Sequence, residues 1–469
     1  MNREQARSHG AHSAHTAEAQ RFLADHPEVE SIQLVITDAD GVGRGKAIAR
    51  EELEPLFARG RNVAGSILGL DITGEDVEES GLVWSAGDAD KMVWPVPGSL
   101  CLAPWLQRPS AQVLVTQHEM DGANGQPGTP GTADPRHVLA RAVARLEALG
   151  YTPVVAAELE FYLLEREGNG VKPARAVLGE RPATRIDAYG LGKLEGMAPL
   201  FDDLYAGARV MGLPVQTLMS EYAPGQFEIT LAHRPDALRA ADEAVLFKRL
   251  VKGTALRHGR IGSFMAKPFA EAAGCGFHIH VSLQDRDGGN AFAAADPAGT
   301  PLLRQAIAGL QATMVESTAV FAPNANSFRR FRQNSYAPIA PSWGVNNRSV
   351  SLRVPPGPPS SRHVEHRPCG ADANPYLAIA VVLEGIRHGL MAQLDPGPPV
   401  TGNGYATPPA VRLPTHWPQA LEAAAASSFL REALTPEFVD LFLAVKRQEC
   451  EKFNARITEV DFEWYLENA

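Results

Sequence analysis

The sequence predicts an α+β fold, and three observations carry that prediction. Residues 31–48, SIQLVITDADGVGRGKAI, read as a strand, a D-A-D-G turn and a second strand, with a charged helical segment from Glu51 to Arg61 behind them. Farther along, helical patterns such as HVLARAVARLEALG alternate with short strands. Several of those strands alternate strictly, apolar on one face and polar on the other, as in a half-covered antiparallel sheet.

Taken in order, the first break falls between Asp121 and Arg136, where DGANGQPGTPGTADPR concentrates Gly and Pro with hardly an apolar residue, the composition of an exposed connection. The expected organisation is a domain over 1–120, a linker over 121–136 and a larger domain over 137–469. In PVVAAELEFYLL, period two puts Glu158, Glu160 and Tyr162 on one face and Ala157, Leu159, Phe161 and Leu163 on the other. In SEYAPGQFEITL, a Pro224-Gly225 turn lets Glu221 and Glu228 converge, with Glu228 and Thr230 opposite Ile229. GCGFHIHVSL sets His278, His280 and Ser282 against Phe277, Ile279 and Val281, and RSVSLRVP sets Ser349, Ser351 and Arg353 against Val350, Leu352 and Val354. Tyr376 to Leu390 is the longest apolar stretch; Asn374-Pro375 before it supplies an N-cap and a first-turn proline, so it reads as a core helix. A second Pro/Gly-rich stretch follows at 395–409.

Composition narrows the function. With 469 residues, 45% apolar, 21% charged and 7% aromatic, the chain has the make-up of a folded soluble protein with room for two or more domains. Lys and Arg number 44 against 54 Asp and Glu, a formal net charge of -10 that argues against nucleic acid as a partner. The opening MNREQARSHGAHSAHTAEAQ lacks the apolar core of a secretory signal, and no window reaches the roughly 18 apolar residues of a membrane span. Cys101, Cys275, Cys369 and Cys450 are scattered with no C-x-x-C, so a reducing cytoplasm and no membrane partner are expected.

The polar stripes hold Glu, His and Arg with almost no Lys, the inventory of a metal and phosphate site. Crowded carboxylates repel one another and take up protons unless cations are present. Oxygen ligands with one imidazole suit Mg²⁺ or Mn²⁺ better than Zn²⁺. Arginines cluster in FRRFRQ (Arg329, Arg330, Arg332), VNNRSVSLRV (Arg348, Arg353) and RHVEHR (Arg362, Arg367), and arginine forks grip carboxylates and phosphates bidentately. Solvated strand faces and structural ion pairs would use the same residue types. No G-x-x-x-x-G-K-[ST] loop is present, GVGRGK is an isolated glycine-rich match, and His363 and His366 beside Glu365 read equally as packing residues or ligands.

VVAAELEFYLL, EYAPGQFEI, FMAKPFAEAAGCGFHIHVSL, APNANSFRRF, SWGVNNRSVSLRVP, VEHRPCGADANPYL and ITEVDFEWYLENA, in that order, resemble the glutamine synthetase family along nearly the whole chain, and within it the branch of glutamate–putrescine ligases. The resemblance implies an N-terminal β-grasp domain and a large C-terminal catalytic domain of antiparallel sheet and helices. It also implies two stacked hexameric rings, a dodecamer, with each active site between adjacent subunits. It gives Glu160, Glu221 and Glu228 to one metal and Glu158, His278 and Glu365 to a second, with two or three Mg²⁺ or Mn²⁺ ions per site. Arg348 and Arg353 match phosphate-binding arginines, His280 and Ser282 nucleotide contacts, and Gly274, Arg330 and Arg367 the glutamate site; Arg348, Glu365 and Tyr336 are the expected catalytic set.

Departures from the family pattern carry the substrate information. Ammonia-using members have an Asp before a Gly-Ser pair and a Glu before Ala-Pro; here a gapless reading finds Ala64, with Ser66 beyond it, and Tyr336. With the ammonium site gone and space opened, a larger amine becomes the expected nucleophile. Ala273 replaces an Asn beside the glutamate, and His363 stands where the family usually has an arginine near the nucleotide. The expected reaction joins the γ-carboxylate of glutamate, activated by ATP as γ-glutamyl phosphate, to putrescine or another polyamine. DITGEDVEES (Asp71, Glu75, Asp76, Glu78, Glu79) offers acid for the distal ammonium, or is a solvated face. The alternatives are a ligase for ethanolamine, methylamine or isopropylamine, a true glutamine synthetase, a guanidino kinase and an inactive scaffold.

Overall fold

The computed structural model describes residues 16–123, 125–179, 185–406 and 409–469. The reading of the first 15 residues as a non-export terminus, residue 124 of the linker and 407–408 of the second Pro/Gly-rich stretch lie outside them.

The N-terminal sheet has six strands: β1 (Ser31–Thr37), β2 (Gly43–Ala49), β3 (Arg61–Ala64), β4 (Asp90–Pro95), β5 (Cys101–Leu102) and β6 (Ser110–His118). Their order is β2-β1-β6-β4-β3, with β5 on β6; β1 and β6 run parallel at the centre and the flanking pairs are antiparallel. A central parallel pair between antiparallel neighbours is β-grasp topology. The helix Leu53–Arg59 ends at Gly60, whose φ of 68° and whose contact with the β4 backbone both exclude a side chain. GVGRGK is not a phosphate loop: it runs into edge strand β2, and Arg44 donates from Nε to Asp38 at 2.7 Å.

The second sheet has nine strands, β7 (Thr152–Glu167), β8 (Gly170–Pro173), β9 (Val215–Ser220), β10 (Gln226–Leu231), β11 (Ile261–Ser263), β12 (Phe277–Gln284), β13 (Trp343–Val345), β14 (Leu352–Val354) and β15 (Val364–His366). The order is β13-β14-β15-β12-β7-β10-β9, with β8 and β11 also on β7. It is not wholly antiparallel, because β13 and β14 pair in parallel. The apolar face of β7 is fully covered: Phe161 packs on Phe227, Phe247 and Phe264, with Phe247 on the helix Ala237–Arg257. Burying one such ring contributes about 1.5–3 kcal/mol. The polar face is thereby left free for chemistry.

Two expected boundaries move. Residues 135 and 136 belong to a helix rather than the linker, since Asp134 caps Arg136 N and Pro135 occupies the first turn of Pro135–Ala148. The strand expected over 349–354 shrinks to β14, because Asn347 Oδ1 accepts from both the backbone and hydroxyl of Ser349 and turns the chain out of the ladder. The core helix is found as Pro375–Ala392, capped by Asn374 and packed on the helix Pro301–Thr313. Gly309 and Gly389 let these two backbones touch: a Cβ on Gly309 would sit 2.1 Å from Gly385 O. Among the described residues no helix is long and apolar enough to cross a membrane.

In the acidic run Glu75, Asp76, Glu78 and Glu79 are exposed and Asp71 is tied into the structure. Asp71 is buried, receives Lys452 and Gln448 from the helix Pro436–Asn454, and closes its own turn through Thr73 and Glu75. Burial opposes its ionisation, yet Lys452 and these hydrogen bonds hold its carboxyl well below the usual range. Glu75 pairs with Lys452 at 2.6 Å, and Glu78 accepts from the Trp84 and Ser85 amides. Asp71 and Glu75 dock the helix Pro436–Asn454 on the N-terminal residues.

Candidate functional site

Register assembles the site. β12 pairs with β7 so that His278 faces Glu158, while β10 pairs with the other edge of β7 so that Glu228 faces Glu160 and Thr230 faces Glu158. On β12's far side His280 faces Glu365, which in turn faces Arg353 of β14. Directly opposed residues share a face, so five neighbouring strands bring carboxylates, imidazoles and guanidinium groups onto one surface.

Glu158, His278 and Glu365 each aim one ligand atom into a space where all lie within 4.8 Å of one another. His278 Nδ1 touches Glu158, lies 3.7 Å from Glu365, and its Nε2 is 3.9 Å from Glu160. Burial works against ionising Glu158, but His278 and His280 hold its carboxyl well below the ordinary value. Glu365 is 1% exposed; burial opposes its charge, while Arg367 and the histidines bring it down to about 2. Arg353 Nη1 donates to it at 2.7 Å and Arg367 closes from the other side. Both arginines therefore brace Glu365 first, and their buried Nε groups have no partner among the described residues. Orphaned buried donors of this kind fit an anionic ligand.

Glu160, Glu221 and Glu228 form the second cluster. Gly276 N donates to Glu160 at 2.9 Å, and Glu221 takes the Tyr222 amide at 3.0 Å. Burial, then the charges of Glu158, Glu160 and Glu221, push Glu228 up to about 11, and burial with Glu221 raises Glu160. Carboxyls raised by burial and by one another's charge lack positive charge, which a divalent cation fits. These residues thus suit Mg²⁺ or Mn²⁺, at one compact three-atom seat and one looser carboxylate seat.

His280 donates toward Glu158 across 3.3 Å and toward His363 Nε2 across 3.0 Å, while His363 Nδ1 lies 2.7 Å from Ser361 O. Those partners fit a protonated His280 and a neutral His363. Burial and His280 lower His363 to about 4, so it does not replace the positive charge of the arginine it stands for. Ser282 follows His280 on the same face of β12. His366 is a packing residue: buried, with its ring 4.4 Å from that of Phe321. The pattern reading missed His233, whose ring packs on His280 and His363 at 6.2 and 5.5 Å. It lies beyond the end of β10, where alternation gives no signal.

Gly274 and Arg330 interlock, since a Cβ on Gly274 would sit 2.6 Å from Arg330 Cγ; Arg330 is buried and donates to Pro368 O at 3.0 Å. Arg348 and Tyr336 line an open cavity of about 530 Å³ with Asn347 and with Asn346, whose Oδ1 accepts from Arg353 at 3.3 Å. Tyr336 is 65% exposed with a left-handed φ of 58°, in a loop where Tyr405 Oη donates to Ala337 O at 2.9 Å. Ala64 and Ser66 lie elsewhere, at the edge strand of the N-terminal sheet, where Asp88 accepts from Ser66 N at 3.0 Å. Among the described residues no hydrogen bond or ion pair joins them to the nine-stranded sheet.

Fold and site together define a protein that gathers carboxylates, imidazoles and guanidinium groups on one face of a mostly antiparallel sheet. The chain belongs to the glutamine synthetase family: residues 132–465 match the family's catalytic domain. It is 38% identical to the γ-glutamylputrescine synthetase PuuA of Escherichia coli K12, over 97% of this chain and 96% of that one. It is 32% identical to a glutamate–isopropylamine ligase of a Pseudomonas species, over 95% and 96%. A solved structure described as a GmaS/ADP complex superposes with a TM-score of 0.81 at 26% identity, covering 95% of this chain and 98% of the other.

Proposed function

We propose that this protein is an ATP-dependent ligase that joins the γ-carboxylate of L-glutamate to a primary amine, with putrescine or another polyamine as the amine. The observation that carries the reading is the strand register that brings Glu158, Glu160, Glu228, His278 and Glu365 onto one face, every expected metal position being filled. A carboxylate does not condense with an amine at neutral pH, because its oxygen is a poor leaving group. A glutamate γ-oxygen attacks the terminal phosphorus of ATP and ADP leaves; the amine nitrogen, having lost a proton, attacks the acyl carbon and phosphate leaves. Divalent cations held by the two clusters supply positive charge against the transferring phosphoryl group. Arg348 adds to that charge, Arg353, His280 and Ser282 hold the nucleotide, and Gly274, Arg330 and Arg367 hold glutamate.

Support for a larger amine comes from Ala64 and Tyr336, which stand where ammonia-using members carry carboxylates, and from the 38% likeness to a γ-glutamylputrescine synthetase. Ala64 and Ser66 reach Tyr336 of a neighbouring subunit in the proposed cytoplasmic dodecamer. Tyr336, a nearby carboxylate or water takes the amine's proton. The likeness to a glutamate–isopropylamine ligase favours a second reading, the same reaction on a small monoamine.

The test is phosphate release from ATP with Mg²⁺ and L-glutamate across ammonia, putrescine, spermidine, ethanolamine, methylamine and isopropylamine, with product masses. A γ-glutamylamide from putrescine or spermidine is expected; release with ammonia alone would overturn the reading of Ala64 and Tyr336. Restoring the carboxylates in the double variant Ala64→Asp, Tyr336→Glu is expected to raise ammonia use about tenfold or more, since a charged pair recovers ammonium binding and a base. The ratio of kcat/KM for ammonia to that for putrescine measures it.

A further inference from the structure

Gln226 is 1% exposed and its carboxamide has every hydrogen-bonding group engaged. Nε2 donates to Glu160 Oε2 at 3.2 Å and to Gly274 O at 3.0 Å, and Oε1 accepts from Ala223 N at 3.3 Å. The Gly274 carbonyl can only accept and the Ala223 N–H can only donate, so these two partners fix which way the carboxamide points. Three segments that meet nowhere else in sequence are tied through one side chain. They are β7 at Glu160, the turn that carries Glu221, and the loop that carries Gly274.

The turn and the loop have further ties, the loop one to β7 itself. Lys193 Nζ donates to Glu221 O at 2.9 Å and Ala223 O at 3.0 Å, holding the turn. Tyr162 Oη donates to Ala273 O at 2.7 Å and Lys267 Nζ to Ala272 O, holding the loop. The Gln226 Nε2 group donates to both Glu160 and the Gly274 carbonyl, beside the direct bond of Gly276 N to Glu160 at 2.9 Å, so a displacement of Glu160 is passed to the carbonyl at Gly274.

We propose that Gln226 is a positioning residue that couples cation binding at the Glu160–Glu221 cluster to the ordering of the Gly274 loop for the amino-acid substrate. This rests on the reading of those residues given under the proposed function. Linkage is reciprocal, so the cation tightens glutamate binding by the same factor that glutamate tightens cation binding.

The experiment measures Mn²⁺ binding by electron paramagnetic resonance and L-glutamate binding by calorimetry, each with and without the other, in the full chain. In the wild type saturating Mn²⁺ is expected to tighten glutamate about tenfold. Gln226→Met removes the donors, and Gln226→Glu keeps the shape but replaces the donating group by an acceptor, so it serves if the first variant does not fold. Both are expected to bring the coupling factor to within about twofold of one, with the circular dichroism of the folded protein retained. A merely structural loss weakens both ligands and leaves their coupling factor standing, and that result overturns the proposal. Wild-type protein that releases phosphate in response to glutamate yet shows no coupling overturns it alone. Wild-type protein that binds no glutamate overturns the proposed function and this inference with it.

Discussion

Glu365→Gln is expected to lower turnover by roughly a thousandfold, the scale seen when a preorganised charge is removed from a water-poor site. Glu365 is 1% exposed between Arg353 at 2.7 Å and Arg367, and supplies one of the three ligand atoms gathered with Glu158 and His278. Glutamine has nearly the same shape but no charge, and its amide hydrogens face guanidinium hydrogens. The cation seat loses an anionic oxygen and two arginines lose the counter-charge that aims their free Nε groups. Steady-state phosphate release with glutamate and amine gives the effect, and Mn²⁺ titration shows whether the seat is weakened. Glu365→Asp, which keeps the charge on a shorter arm, is expected to fall between. Turnover within a few-fold of wild type for Glu365→Gln would remove Glu365 from the catalytic set.

Lys446→Met is the largest expected effect on stability. The ammonium is 1% exposed between Asp40, which it contacts directly, and Glu449 at 3.0 Å. Glu449 also accepts from Ile72 N at 2.7 Å, so the cluster joins the helix Pro436–Asn454 to the N-terminal residues. Burial and then the Asp40 charge push Asp38 up to about 7 even with Arg44 beside it, and burial brings Glu449 to about 8 against the pull of Lys446. Removing the cation leaves buried carboxylates facing one another, a loss of about 3–5 kcal/mol. Thermal unfolding and hydrogen exchange over 31–49 measure it, the expected result being a lower midpoint and faster exchange in β1 and β2. Neutralising all three groups together, Asp40→Asn, Lys446→Met and Glu449→Gln, is expected to recover much of the loss, because no charge is then left unpaired. A single variant that melts like the wild type would show that the cluster does not hold the two parts together.

Much of the site was legible because period two is a local property. The alternation in 153–164 and 274–283 places Glu158, Glu160, His278 and His280 on polar faces, and β7 and β12 carry them there. Asn374-Pro375 announced its helix for a similar reason, since a cap and a first-turn proline act on the next few residues alone. Where a side chain competed with the ladder the pattern failed: Asn347 captures Ser349, and the strand begins only at Leu352.

The sequence by itself therefore determined the strands, their chemically loaded faces and, through motif order, the family. Tertiary structure decided which residues meet. Glu158 faces His278 and Glu160 faces Glu228 because β7 lies between β12 and β10 in one particular register, and a slip of one residue would turn a whole stripe to the other face. The same packing brought Gln226 to Gly274, His233 to His363, and Lys446 to Asp40, pairs 48, 130 and 406 positions apart. Such contacts arise when burial of the apolar faces fixes how strands and helices stack, and no pattern along the chain encodes them singly.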